Sequence, residues 1–130
     1  SMSVKGGVVG IICLGYMLGP KLGVETTFQT YLDHIEHAIN VAGIDHVGVA
    51  ADFAIQGIKA YGATRENWYL PRLKNFKPSY KVQWPPWIPE LDVPNRYLNV
   101  ADGLKKRGYK FNDIEKIIGL NWLRYYKEIL

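Results

Sequence analysis

The sequence predicts an α/β fold with parallel strands, and three stretches carry that reading. The first is Gly6–Cys13, Gly-Gly-Val-Val-Gly-Ile-Ile-Cys, a continuous apolar run with β-branched residues, the pattern of a strand buried on both faces. The second runs from Phe28 to Ala42, where Phe28, Tyr31, Leu32, Ile35, Ala38, Ile39 and Ala42 recur at three- and four-residue steps, the stripe of an amphipathic helix. The third is Asp45–Ala51, a second apolar run that stops at a lone carboxylate, Asp52. Strand, helix and strand in that order make a right-handed βαβ unit, the smallest piece of a parallel sheet.

The boundaries follow from local chemistry. Gly6 and Gly7 turn the chain into the first strand, and Gly15, Gly19, Pro20 and Gly23 mark residues 14–24 as a loop. Thr26 or Thr27 supplies an N-cap for the helix, and Gly43 ends it. From Phe53 to Pro94 the periodicity is lost. All but one of the chain's seven prolines fall there, among many aromatic residues, including Trp84-Pro-Pro-Trp-Ile-Pro89. A connection of this length is uncommon in a compact domain unless it serves a function. It reads either as a lid or subunit-contact surface, or as a surface excursion packed by its own tryptophans. Pro86-x-x-Pro89 matches a polyproline ligand pattern, but the flanking tryptophans argue for packing.

Two helices close the chain. Asn95 is placed to cap the first, with Tyr97, Val100, Ala101 and Leu104 along one side and Gly108 as the stop. Asn112, three residues before Glu115, has the spacing of a capping box that opens the second. There Ile114, Ile117, Ile118, Trp122, Tyr125 and Ile129 form an apolar stripe, with Lys116, Arg124 and Lys127 expected to face outward. No internal repeat, heptad pattern or low-complexity tract occurs.

A chain of 130 residues, 48% hydrophobic, is long enough for one domain with a sizeable core, and residues 1–130 are read as one. It is short of a complete (β/α)8 barrel, which needs about 200 residues at the least. The net charge of +4 is scattered, without a basic stripe or recognition helix, so no nucleic-acid partner is expected. Cys13 has no second cysteine to pair with and is expected to be buried, as suits a reducing compartment. The apolar run around it is too short and glycine-rich for a membrane span and lacks the cleavage site of a signal peptide, so a cytoplasmic location is favoured.

The candidate chemistry centres on Asp52. An acid at the C-terminal end of a strand stands on the rim where parallel α/β folds gather their loops and build their sites. His34 and His37 lie three apart on one helix with Glu36 between them, but that helix commits its apolar face to the sheet, and a catalytic zinc site takes about three protein ligands. His46 begins a strand at the end away from Asp52. Cys13 lacks a histidine partner for nucleophilic catalysis, and no phosphate-binding loop, dinucleotide fingerprint, nucleophile elbow or zinc-protease helix is present.

Gly-Gly-Val-Val-Gly-Ile, His-Ile-Glu-His, Val-Ala-Gly-Ile-Asp-His-Val-Gly-Val, Ala-Asp-Phe, Lys-Lys-Arg-Gly-Tyr and Gly-Leu-Asn-Trp-Leu-Arg resemble, in order and spacing, the C-terminal portion of the renal (membrane) dipeptidase family. Only residues from about 58 to 94 stand outside the resemblance. It implies a hydrolase on a TIM-like (β/α)8 barrel that cleaves dipeptides at a site with two zinc ions, where a bridging hydroxide attacks the polarised peptide carbonyl. Residues 7–13 then correspond to the seventh strand, 45–52 to the eighth and the last two helices to the closing ones. Asp52 takes the position of the family's acid at the end of the last strand, which orients the substrate amino group or activates the water, and Phe53 is expected to contact substrate. Two departures point to a divergent subfamily. Ala54-Ile55 stands where Asp-Gly usually follows Asp-Phe, and Ile12-Cys13-Leu14 replaces Asn-Phe-Tyr. The family's metal ligands come from earlier strands, so no metal is expected in this chain alone. The resemblance leaves two expectations. In one, the chain is an inactive C-terminal portion that needs an N-terminal barrel portion. In the other, it is a non-catalytic remnant that hides an open sheet edge by self-association or by binding a partner.

Overall fold

In the computed structural model, residues 3–18 and 26–130 are described, so Gly19, Pro20 and Gly23 of the expected first loop lie outside the described residues. The architecture is mixed α/β. Strands β1 (Val9–Ile11) and β2 (Val47–Val49) pair in parallel, with Val9, Gly10 and Ile11 opposite Val47, Gly48 and Val49. Helix α1 (Phe28–Ala42) connects them. Both strands are shorter than the apolar runs that announced them. Gly6 turns the chain at a φ of +76°, and Ile44–His46 winds into a 3-10 turn, which takes the starts of both runs off the ladder.

Helix α1 has the boundaries its residues dictate. The Thr27 hydroxyl accepts the Thr30 N–H, the Thr30 hydroxyl accepts the Thr27 N–H, and Gly43 ends the helix at a φ of +89°. Tyr31, Leu32 and Ile35 are buried among Val47, Val49, Val100, Leu104, Ile114 and Ile117. Each aliphatic side chain so buried contributes about 1.5–3 kcal/mol.

From Phe53 to Pro94 the chain is irregular but built. It holds 3-10 turns at Lys59–Tyr61 and Pro78–Tyr80, a π-helical turn at Arg65–Tyr69 and a single helical turn, α2 (Leu70–Leu73). Its aromatic residues pack edge-on or tilted against one another: Trp84 lies 4.9 Å from Trp87, 5.9 Å from Tyr69 and 6.4 Å from Trp68 between ring centroids.

Helix α3 (Arg96–Lys106) follows, and Gly108 turns at a φ of +90° just beyond it. Asn95 stands at the boundary as expected, but its side chain makes no capping bond. The last stretch is one rod: α4 (Phe111–Glu115), a π-helical turn (Lys116–Leu120) and α5 (Asn121–Ile129). The expected capping box at Asn112 and Glu115 does not form. Lys110 is the N-cap, and its carbonyl already accepts the Asp113 and Ile114 N–H groups, which puts Asn112 inside the first turn. Nor do Lys116 and Arg124 simply face outward: Lys116 pairs with Asp45 at 2.7 Å, and Arg124 donates to the Gly6 and Asp45 carbonyls. The C-terminal end of α3 is tied to α1 by Arg107, which reaches Asp33, Glu36 and Gln29.

The last rod also finishes the sheet. Gly10 and Gly48 face each other in register, and the Trp122 ring lies over both, so that a Cβ on either would overlap it. Ala50 donates to the Ile11 carbonyl across the ladder, so strand alternation turns the Val47 and Val49 carbonyls toward the opposite edge of β2. There Trp122 Nε1 donates to Val49 at 3.0 Å, and Asn121 Nδ2 donates to Val47 and Ile44 at 2.8 Å each. The β2 edge expected to stand open is thus occupied by side chains. No helix among the described residues is long and apolar enough to cross a membrane.

Candidate functional site

Asp52 stands where β2 has ended, at the C-terminal rim of the parallel pair, with a backbone φ of +65°. Residues other than glycine seldom enter that region, aspartate being among the more tolerant, and such conformations collect at functional sites. Its side chain is exposed, and no described residue donates a hydrogen bond to it. The acid is therefore open to solvent, and among the described residues its side chain caps no turn.

The segment that leaves the rim is held from below by α3 and the turn before it. Arg96 is 1% exposed and spends its donors on backbone: Nε on the Leu91 carbonyl at 2.7 Å, and Nη2 on the Ala54 and Ile55 carbonyls at 3.1 and 2.8 Å. Its guanidinium also lies 4.7 Å from the centre of the Phe53 ring, a cation–π contact out of water. Asp92, 7% exposed, accepts the N–H groups of Ile58 and Lys59. Gly57, at a φ of +94°, passes so close to the Asp92 backbone that any side chain there would collide with it. A buried arginine and a buried aspartate thus fix the backbone just after the candidate acid.

The opposite wall is built from the end of β1 and the excursion. Gly15 donates to the Pro86 carbonyl at 3.1 Å, and Leu14 bridges to Trp87, which docks the excursion on the rim. Tyr16 meets Phe76 edge-on at 5.3 Å. Between the walls lies a cleft of about 350 Å³, within the range of small-molecule sites, lined by Asp52, Phe53, Tyr16, Trp68, Arg72 and Asn75 among others. A second cleft of about 390 Å³ adjoins it and shares Phe53, Ile58, Trp68 and Arg72. Arg72 lies over Trp68, its Cζ 4.8 Å from the ring centre, and its Nη1 donates to the Trp68 carbonyl at 2.9 Å.

The electrostatics separate donors from acceptors. Burial, and secondarily the charge of Asp52, raises the pKa of the Tyr16 phenol above its ordinary value, so at neutral pH it remains a hydrogen-bond donor beside the acid. Cys13 is fully buried, and its thiol donates to the Ala50 carbonyl at 2.9 Å. Burial pushes its pKa up to about 11 against smaller opposing effects of the Tyr31 hydroxyl and Arg96, which rules out a thiolate nucleophile near neutral pH.

The histidines do not gather. His34 Nε2 contacts the Leu18 carbonyl at 2.5 Å, His46 Nδ1 contacts the Gly7 carbonyl at 2.8 Å, and His37 is exposed. Among the described residues no group of three or more His, Cys, Asp or Glu could hold a metal ion.

Of the residues singled out from sequence, Asp52 and Phe53 come together at the cleft. Arg96, Asp92, Tyr16 and Arg72 were not foreseen. Arg72 and Tyr16 belong to segments read as an aperiodic connection and a loop, and the burial of Arg96 depends on carbonyls some forty residues earlier.

A family model described as membrane dipeptidase (peptidase family M19) matches residues 1–67. The chain is 25% identical over 122 residues to dipeptidase tcpJ of Claviceps purpurea, a match that covers 92% of this chain and 22% of that protein. It is 26% identical over 125 residues to dipeptidase ataJ of Aspergillus terreus, covering 96% and 24% respectively. The chain therefore spans about a quarter of the length of these curated relatives. Trp68, Arg72, Asn75 and Phe76, which wall the cleft, lie beyond the stretch that the family model matches.

Proposed function

The chain belongs to the membrane dipeptidase family, and from that premise we propose that it supplies the Asp52 rim of a dipeptide-hydrolysing site. In this reading β1 and β2 are the last two strands of a (β/α)8 barrel. The observation that carries it is the placement of Asp52: an exposed carboxylate, free of described hydrogen-bond donors, in a left-handed conformation at a strand's C-terminal end and on the wall of a cleft. A carboxylate so placed accepts the ammonium group of a dipeptide, with the Tyr16 phenol as a neighbouring donor and Phe53 as an apolar contact. The two zinc ions that the family implies supply the attacking hydroxide and polarise the carbonyl when bound. Among the described residues no three His, Cys, Asp or Glu gather to fit them, and His34 and His46 contact backbone carbonyls instead, which supports a binding part for this chain. The chain's own part is accordingly to bind and orient, and hydrolysis requires ligands from sequence outside this chain.

Nuclear magnetic resonance titration with glycyl-phenylalanine and its N-acetyl derivative tests the reading. The free amine is expected to shift resonances of residues 50–54 and to bind at least about tenfold more tightly than the acetylated form, the scale of one charge-assisted hydrogen bond. Asp52→Asn should remove that preference. Failure of glycyl-phenylalanine to perturb the rim, or equal binding of the acetylated form, would sink the proposal.

A second reading, association with another chain, draws on the outer face of the last rod. Leu120, Leu123 and Tyr126, neighbours at three-residue spacing, are each close to half exposed there. Sedimentation over a range of concentrations distinguishes a monomer from a self-associating module.

A further inference from the structure

The positive charge of the chain gathers in the excursion, and from it we propose, independently of the Asp52 reading, that the outer face of residues 59–81 docks the protein on an anionic phospholipid bilayer. Residues 59–81 carry six lysines and arginines, Lys59, Arg65, Arg72, Lys74, Lys77 and Lys81, against one acid, Glu66. The whole chain has a net charge of only +4, so elsewhere acids offset the bases. All six cations are exposed, and among the described residues none of them pairs with a carboxylate, whereas Arg107, Lys116 and Arg124 do.

Local bonds keep these groups together. Leu70, Leu73 and Lys74 stand three and four places apart on α2 and its cap, so they share one side of that turn, and both leucines are exposed. The Asn75 and Phe76 N–H groups return to the Arg72 and Leu73 carbonyls, and those of Tyr80 and Lys81 return to Lys77 and Pro78. Lys74, Lys77 and Lys81 therefore follow one another on tight turns. The Tyr69 hydroxyl donates to the Val82 carbonyl at 2.6 Å, and Arg65 lies 5.9 Å from the centre of the same ring, which brings the end of the stretch back beside its start. Lys81, like Asp52, holds a positive φ, here +46°, a conformation costly for such a residue and one that collects at functional positions.

Cations beside exposed apolar side chains make a surface that lies in a bilayer interface. Acidic headgroups draw the cations, and leucine and tyrosine side chains enter the acyl boundary. Nucleic acid, the other large polyanion, needs free aromatic faces on which its bases stack. Here Trp84 packs against Trp68, Tyr69 and Trp87, Arg72 covers Trp68, and the exposed Leu70 and Leu73 offer a base no such face. The surface is thus matched to lipid. Residues 68–81 lie beyond the stretch matched by the family model, so the contact belongs to the excursion of this chain rather than to the shared strands. Trp68 and Arg72 also line the cleft, so docking sets its mouth close to the lipid surface.

The test is flotation of the full chain with vesicles of phosphatidylcholine alone and of equal parts phosphatidylcholine and phosphatidylserine, at low and at high sodium chloride. Flotation is expected only with the vesicles that contain phosphatidylserine, and salt should release the chain. Lys74→Gln, Lys77→Gln and Lys81→Gln combined should lower the partition by about a hundredfold, roughly fivefold for each cation. Leu70→Gln with Leu73→Gln should lower it by about tenfold. Lys105→Gln, Lys106→Gln and Lys110→Gln combined, an equal loss of charge around the C-terminal end of α3, should change it much less. All these side chains are exposed, so each variant is expected to keep the thermal melt of the wild type. No flotation of the wild type, equal flotation with phosphatidylcholine alone, or an equal loss in the Lys105 combination overturns the proposal. So does tighter binding to single-stranded polyuridylate that the Lys74 combination abolishes, which assigns the face to nucleic acid instead.

Discussion

Between Val9 and Val49 the chain is held mainly by side chains without polar atoms, Leu32, Ile35, Val47 and Val49, closed into one core with α3 and the last rod. From Phe53 to Pro94 the holding groups are of another kind. Arg96 and Asp92 grip backbone at Ala54, Ile55, Ile58 and Lys59, and a row of aromatic rings leans on the rim. The first region loses stability gradually with each methylene removed. The second depends on a few bonds whose loss leaves buried and part-buried backbone carbonyls and N–H groups unmet, a cost of up to about 1–3 kcal/mol for each unsatisfied group. The candidate acid sits at the junction, anchored by the core behind it and by the arginine clamp in front.

Two substitutions should separate these modes, and they carry the largest expected effects. Ile35→Ala should cost about 2–5 kcal/mol, seen as a lower urea midpoint and faster amide exchange throughout α1 and both strands. Arg96→Met should cost about 3 kcal/mol, since it keeps the apolar length but strips the donors from three carbonyls. Its exchange should quicken first at residues 53–59 while α1 stays protected. If α1 opens in Arg96→Met as readily as in Ile35→Ala, the two regions are one cooperative unit and the contrast is false.

The next effect is a pH dependence seated at the seam of the sheet. In the folded chain the Cys13 thiol titrates at about 11 rather than 9.0. The folded state therefore holds its proton more tightly than the unfolded one, and between those values the unfolded chain binds fewer protons. Stability is full below pH 9 and falls as pH rises toward 11, by up to about 1.4 kcal/mol per pH unit from this group. Tyr31, also raised by burial, adds to the fall above its ordinary value. The slope of stability against pH should be shallower in Cys13→Ala, and native wild-type thiol should resist Ellman's reagent at pH 8. Equal slopes in the two proteins would remove Cys13 from the account.

What the sequence disclosed and what it hid divide along the same line. The βαβ order, the Thr27 cap, the stops at Gly43 and Gly108 and the position of Asp52 are local properties, readable from residues a few places apart. The grip of Arg96 is not, because nothing near it in sequence distinguishes it from a solvated surface cation. Gly10 and Gly48 read as flexible points in apolar runs, yet their use is to leave room for Trp122, more than seventy residues later. Asn112 and Glu115 had the right spacing for a capping box, but the helix had already begun at Phe111. Arg72 became interesting only when the excursion folded back over the rim.

The smallest of these effects concerns the edge of β2. Asn121 is 3% exposed and satisfies two carbonyls, Ile44 and Val47, with one amide group. Asn121→Ala should cost about 1–2 kcal/mol, less than the loss of the Arg96 clamp because a neutral amide makes weaker bonds than a guanidinium. The distinctive consequence lies in association rather than stability. With Asn121 gone, the Val47 carbonyl on the outer edge of β2 is left without its donor, and a strand edge so exposed pairs readily with another chain. Sedimentation of Asn121→Ala should therefore show more oligomer than wild type at equal concentration, while Asn121→Asp, which keeps the size but brings a negative charge against those carbonyls, should unfold more easily. If Asn121→Ala is less stable yet no more associated, its amide is simply a buried hydrogen-bond donor, and the side chains at that edge are not what limits pairing.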